Sequence, residues 1–198
     1  AKRHYSSISF MSPRGDAVWV ETAQAECNGT AAFYETNMKK KRDLLEKARE
    51  VAQEGLKRAE VSGYPEIVIH VNHVASSTLV RLAMIETNSE EKKRLLEEAL
   101  GHRGEALRIT DQLEPFLYWN RGIMQTALAY IKYELADLGK DHKTKRSMLQ
   151  EAIQDMEKGL KLCIEALPLF FRKGAIVYFW PVGYTQYMTG VWLIRFYE

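Results

Sequence analysis

Three stretches of the chain repeat one arrangement of apolar, small and charged positions. Leu44-Leu45-Glu46-Lys47-Ala48, Leu95-Leu96-Glu97-Glu98-Ala99 and Met148-Leu149-Gln150-Glu151-Ala152 lie 51 and then 53 residues apart. A leucine follows at the same distance each time, at Leu56, Leu107 and Leu160. Ala48, Ala99 and Ala152 form one column of small residues, Gly55, Ala106 and Gly159 a second, and Ala59, Thr110 and Cys163 a third. Counted from Leu44, these positions fall at i, i+4, i+11, i+12 and i+15, one face of an α-helix. Upstream, Glu35-Thr36-Asn37 returns as Glu86-Thr87-Asn88 in the same register.

The pattern predicts helices over 17–37, 38–61, 65–87, 89–112, 115–138, 143–166 and 168–197. Breaks fall at Ser62-Gly63 with Pro65, Asn88-Ser89, Pro115, Gly139 with Asp141, and Pro168. No stretch alternates with period two, so strands are not expected. Charge separates the two helices of each pair. Segments 38–61, 89–112 and 143–166 carry 13, 11 and 9 charged residues, whereas 65–87 carries three. The charge-poor helices must be covered or line a sheltered concave surface, and the charge-rich ones face solvent along one side. The expectation is an all-α solenoid of about seven antiparallel helices, each unit burying its apolar face on the next. Its units are 17–61, 65–112, 115–166 and a partial 168–198, behind a flexible arm at 1–16. Glycine inside a helix costs about 1 kcal/mol relative to alanine. Recurrence at Gly55 and Gly159 therefore implies close helix–helix approach.

The residues resemble tetratricopeptide repeats. Ala52, Leu56 and Ala59 follow the small–large–alanine spacing of that family's second helix, and Met156, Leu160 and Cys163 follow it loosely, while Arg103 interrupts it in the middle unit. Gly29, Gly122 and Gly190 match the glycine of the first helix, with Ala32, Gln125 and Leu193 where the family favours an aromatic residue. The repeat here runs to 51 residues, against about 34 in the family's standard unit. The resemblance implies a long-helix relative of the kind found as sensor or scaffold arms of larger regulatory proteins.

Composition narrows the picture little further. Hydrophobic residues make up 46% of the 198, which fits a folded core and excludes a disordered chain. Twenty-eight basic against 26 acidic side chains leave a charge of +2, too balanced to announce a nucleic-acid binder. Cys27 and Cys163 suggest no disulfide framework, so a cytoplasmic setting is expected, with the chain a piece of a longer protein.

Candidate chemistry is sparse. No phosphate-cradling glycine loop, nucleophile elbow or paired-cysteine motif occurs, so neither a catalytic residue nor a cofactor is expected. Glu66, His70 and His73 share a helix face, but the outer two lie roughly 10 Å apart along the axis, too far to share one ion. A metal site would need a distant partner such as Glu26. Two constellations remain. Lys41, Lys92 and Lys145 coincide in the repeat alignment, as do Arg42, Lys93 and Arg146, all in the first turns of charge-rich helices, where the helix dipole disfavours cations. Such a basic ridge could meet phosphate groups or nucleic acid. The charge-poor helices offer instead a ladder of hydrogen-bonding groups, Asn72, His73 and Ser77 against Asn120, Arg121 and Gln125, suited to capturing a peptide or a helix. Arg121, on a charge-poor helix, needs a carboxylate from within or from a ligand. A protein or peptide partner in this groove is the leading expectation, and nucleic acid on the ridge is the alternative. Residues 170–197 hold 10 of the 21 aromatic residues. They are too interrupted by Pro181 and polar groups for a membrane span, and they predict a homodimer through 168–198.

Overall fold

Each recurring apolar stripe folds as a helix. The computed structural model describes residues 13–112, 118–139 and 141–171, which form α1 (Pro13–Tyr34), α2 (Met38–Glu60), α3 (Pro65–Ile85), α4 (Ser89–Gln112), α5 (Tyr118–Asp137) and α6 (His142–Phe171). The described residues contain no strand, and the fold is all-α. The seventh expected helix cannot be placed, because residues 172–198, and with them the aromatic surface expected to dimerise, lie outside the described residues. So do Pro115 and all but the last four residues of the expected arm.

Two boundaries differ from expectation. α1 begins at Pro13 rather than at residue 17. Proline suits a first helical position because its missing N–H would bond nothing there. α6 runs through Pro168 to Phe171 instead of stopping at residue 166. So near a helix end, Pro168 removes only the one bond to the Ile164 carbonyl.

The conserved spacing of buried positions is sharper than the sequence pattern. Leu45, Ala48, Ala52, Gly55 and Ala59 are buried in α2, and Leu96, Ala99, Arg103, Ala106 and Thr110 in α4. In α6 the same positions are Leu149, Ala152, Met156, Gly159 and Cys163. These are the i, i+3, i+7, i+10 and i+14 positions of one helix face. Arg103 occupies the column of Ala52 and Met156, 2% exposed. Burial draws its pKa down to about 10, so it still carries its charge at neutral pH.

The repeated Glu-Thr-Asn tripeptide is a helix start. The Asn37 side-chain oxygen accepts from the Lys40 N–H at 3.1 Å, and Asn88 Oδ1 accepts from the N–H groups of Glu90 and Glu91 at 3.0 and 3.1 Å. The glutamate locks the turn: Glu35 accepts from the Asn37 N–H, and Glu86 from those of Thr87 and Asn88. Asp141 does the same work before α6, accepting from the N–H groups of Lys143 and Thr144. Side-chain caps of this kind satisfy donors that a helix leaves orphaned. The α2–α3 turn uses Gly63 at φ +76°, and Pro65 opens α3.

The chain divides into two compact units, 1–95 and 96–198, with the division inside α4. In the first, α1, α2 and α3 pack on small residues: Ala25, Ala48, Ala52, Val74 and Ala75 form one cluster, Val18, Ala59, Ile67 and Val71 another. α3 is long and apolar enough to cross a membrane by length and composition, but most of it is buried as the unit's core helix. In the second unit, α5 and α6 enclose Ala129, Tyr133, Ala136, Leu149, Ala152 and Met156. Their crossing is tightest at two glycines. A Cβ on Gly159 would lie 2.9 Å from the Thr126 nitrogen and 3.0 Å from the Gly122 carbonyl oxygen, and one on Gly122 would lie 2.5 Å from Cys163 Sγ. Burial there pushes the Cys163 thiol up to about 11.

Candidate functional site

A stripe on α3 faces α1 in the first unit. His70, His73, Ser77 and Arg81 follow one another at helical spacing along it. Opposite, α1 presents Glu26, Gly29, Thr30 and Phe33. Two adjoining hollows lie between these faces. The first, about 200 Å³, is polar, and Glu26, Thr30, His73, Ser77 and Arg81 line it over a floor of Ala25, Val74 and Thr78. The second, about 280 Å³, is mostly apolar, and Ala32, Phe33, Leu45, Met84 and Ile85 line it with the cations Lys41 and Arg81. Arg81 belongs to both.

Gly29 is what lets Arg81 lie there. A Cβ on Gly29 would sit 2.6 Å from Arg81 Nη1, so the guanidinium occupies space that any side chain would claim. Glycine in the middle of this helix therefore serves a side chain rather than a helix crossing. Further along, His70 Nε2 stands 3.6 Å from Glu26 Oε1. Burial lowers the His70 pKa from its ordinary value, and the Glu26 carboxylate opposes the shift. Among the described residues no three His, Cys, Asp or Glu side chains are grouped to hold a metal ion.

The predicted ladder divides. His73 and Ser77 line the polar hollow, with Ser77 Oγ donating to the His73 carbonyl at 2.8 Å. Asn72, one position round the helix, is 4% exposed and donates to the Val68 carbonyl at 2.9 Å, so it belongs to the packing. In the second unit, Arg121 finds its carboxylate internally, in Asp111 at 2.6 Å. Gln125 is 2% exposed and donates to Asp155 at 2.7 Å. Asp155 and Glu151 also receive Lys132, whose partial burial works against its charge but whose pKa the two carboxylates nonetheless hold above the ordinary value. Asn120 stands in the first turn of α5, and its side chain lies outside the described residues.

Two cations of the predicted ridge are paired with acids. Arg42 pairs with Glu86 at 3.0 Å, and the Asn88 N–H, then Arg42, hold the Glu86 carboxyl below its ordinary value. Lys145 pairs with Asp137 at 3.2 Å. Lys92 and Lys93 stand in the first turns of α4, and Arg146 in those of α6. Lys41 departs from the series, for it turns to the apolar hollow. Sequence reasoning assigned Lys41 to the ridge and missed Arg81, Gly29, Phe33 and Met84. One signal was available: Arg81 is the single lysine or arginine in 65–87.

No family model matches the chain, and no curated protein matches it. Among solved structures, the crystal structure of a de novo designed helical repeat protein is similar over 93% of this chain and 96% of that one, at 16% identity and a TM-score of 0.45.

Proposed function

We propose that this chain is a non-catalytic protein–protein interaction module, a scaffold or regulatory arm working in the cytoplasm, that holds a segment of a partner protein in the groove between α1 and α3. The observation that carries the reading is the pair of adjoining hollows joined by Arg81. A polar stretch followed by an apolar one suits a peptide, whose backbone needs hydrogen-bonding groups and whose side chains need pockets. The ion pairs that occupy Arg42 and Lys145 weigh against the nucleic-acid alternative, because a phosphate would have to displace a carboxylate.

The test is a random peptide library selected on the immobilised full chain, followed by titration of an enriched peptide into isotope-labelled protein. Amide shifts should concentrate on α1 and α3. Thr30→Trp, at an exposed rim position, should fill the polar hollow and abolish binding without unfolding the protein. A library that yields no enriched peptide, or one whose peptides bind Thr30→Trp unchanged, would overturn the reading.

A further inference from the structure

The apolar end of this groove carries information about its occupant. Four of the first unit's large apolar side chains, Phe33, Tyr34, Met38 and Met84, are each more than half exposed. They lie where α1 ends, α2 begins and α3 ends, which is one end of the unit. Phe33 and Met84 line the apolar hollow, and the Phe33 and Tyr34 rings stack edge-to-face at 5.2 Å. Exposed apolar groups gathered in this way mark a contact surface. A small acid seated in the hollow would leave Tyr34 and Met38 in water, whereas a polypeptide would cover them.

Charge decides what kind of polypeptide. Lys41 and Arg81 are both half-buried in the wall of the hollow, and among the described residues neither has a carboxylate partner. Their neighbours differ: Arg42 is paired with Glu86, and Lys39 and Lys40 are exposed to solvent. A guanidinium presents a planar fork that matches a carboxylate, and an ammonium on the α2 side of the hollow adds a second donor. Part-sheltered cations beside apolar surface gain more from an anion than solvated ones do. A phosphate could take the Arg81 fork, but it would leave Phe33, Met84 and the hollow uncovered.

We propose that this end of the groove receives an acidic segment of a partner protein in which a large apolar side chain stands next to an aspartate or glutamate. The apolar side chain enters the hollow over Leu45 and Ile85, and the neighbouring carboxylate is held by Arg81 and Lys41. Gly29 is the positioning residue that seats Arg81. The assignment rests on the interaction reading above and gives its partner a chemistry.

An array of acetylated, amidated nonapeptides tests it, with Phe, Leu, Met or Ala beside Asp, Glu, Asn, Gln or Lys at the centre and the full chain as the probe. Terminal charges are absent, so any carboxylate read is a side chain. Signal should be confined to a large apolar residue beside Asp or Glu. In solution, replacing the peptide's Asp by Asn should weaken binding about tenfold, and Arg81→Gln should do the same, as loss of a charge-assisted contact does. Added salt should weaken the acidic peptide more than its amide counterpart. The Asp-to-Asn arm alters only the peptide, so it decides the matter even if Arg81→Gln unfolds. Equal binding of Asp and Asn peptides overturns the acidic occupant. If those peptides still lose affinity for Thr30→Trp, the groove itself stands. Failure of every peptide overturns both. A dimer that Phe33→Ser or Met84→Ser converts to monomer would assign the patch to a second copy of the chain and overturn the proposal.

Discussion

Gly55 and Gly159 occupy the same column of the repeat, yet they do different things. In the second unit α5 and α6 meet backbone to backbone: a Cβ on Gly122 would lie 3.0 Å from the Cys163 nitrogen and 3.1 Å from the Gly159 carbonyl oxygen, and one on Gly159 2.9 Å from the Thr126 nitrogen. In the first, α2 meets α3 through a side chain: a Cβ on Gly55 would lie 3.4 Å from Val71 Cγ1, an ordinary contact distance. The polar groups follow the same division. Around the α5–α6 crossing, Gln125, Lys132, Asp155 and Glu151 bond to one another. Between α1 and α3, Arg81 and Lys41 are left facing hollows. A recurring small residue therefore marks a place where a neighbour comes near, without fixing whether that neighbour is backbone or side chain. Where packing is loosest, groups remain that can serve a partner.

The largest effect should come from adding one methyl group to each glycine. Gly159→Ala puts a Cβ against the Thr126 nitrogen and the Gly122 carbonyl, and neither can rotate away. The helices must part, at a cost of about 3 kcal/mol. Gly55→Ala meets Val71 and, at 4.0 Å, Glu21 Oε2, both at ordinary contact distances, and should gain about 0.5–1 kcal/mol of helix propensity. Chemical unfolding of the two variants should move the midpoint in opposite directions. A shift of the same sign would show that the two crossings are alike.

Helix starts provide a smaller test, and here the units should agree. Asn88→Ala and Asp141→Ala each strip two backbone N–H groups of their acceptor, and each should cost about 1 kcal/mol. Asn37→Ala removes the bond from the Lys40 N–H and should cost less. Serine at any of the three should restore most of the loss, and Tm readings of the six variants would show it. No recovery with serine would mean that these side chains act through something other than the cap.

Gly29→Ala sharpens the contrast between the two kinds of glycine. Its clash is with the mobile end of Arg81, not with backbone. The guanidinium can swing aside, so stability should hold or rise by a few tenths of a kcal/mol while the acidic end of the groove is disarranged. Destabilisation comparable to that of Gly159→Ala would place Gly29 among the helix-crossing glycines instead.

Much of this molecule was legible along the chain. Period and charge placed the helices, because an apolar face recurs every three to four residues whatever covers it. The tripeptide at 35–37 and 86–88 was visible as a repeat, but its capping role needed the direction of the side chains. What covers a face is not written in that face. Asn72 and Ser77 look equivalent in sequence, yet about 140° of helical rotation sends one into the core and the other to the hollow. Arg121 and Gln125 looked available because Asp111 and Asp155 stand on other helices, and no local pattern announces such pairs. Arg103 broke the family spacing on paper but kept its place in the buried column.

The smallest expected effect is one of pH, and it belongs to the first unit. The folded chain holds the His70 pKa below its ordinary 6.5, mainly because the ring is partly buried, with Glu26 pulling the other way. As pH falls through about 6.5, the unfolded chain takes up a proton at this histidine before the folded one does. Stability from His70 is therefore complete above that pH and is lost as pH falls toward the folded pKa. The carboxyls of Glu86 and Asp141, held low by their turn contacts, act in the same direction but only below their ordinary values of 4.5 and 3.8. The two windows separate. His70→Gln should flatten the stability profile between about pH 7 and 5 and leave the acid limb below it unchanged. Glu26→Gln should steepen the upper limb, since it removes a carboxylate that favours the charged ring. Parallel profiles for wild type and His70→Gln would mean that burial of the ring is not what sets its titration, and the contrast between a satisfied crossing and a partly open groove would lose this support.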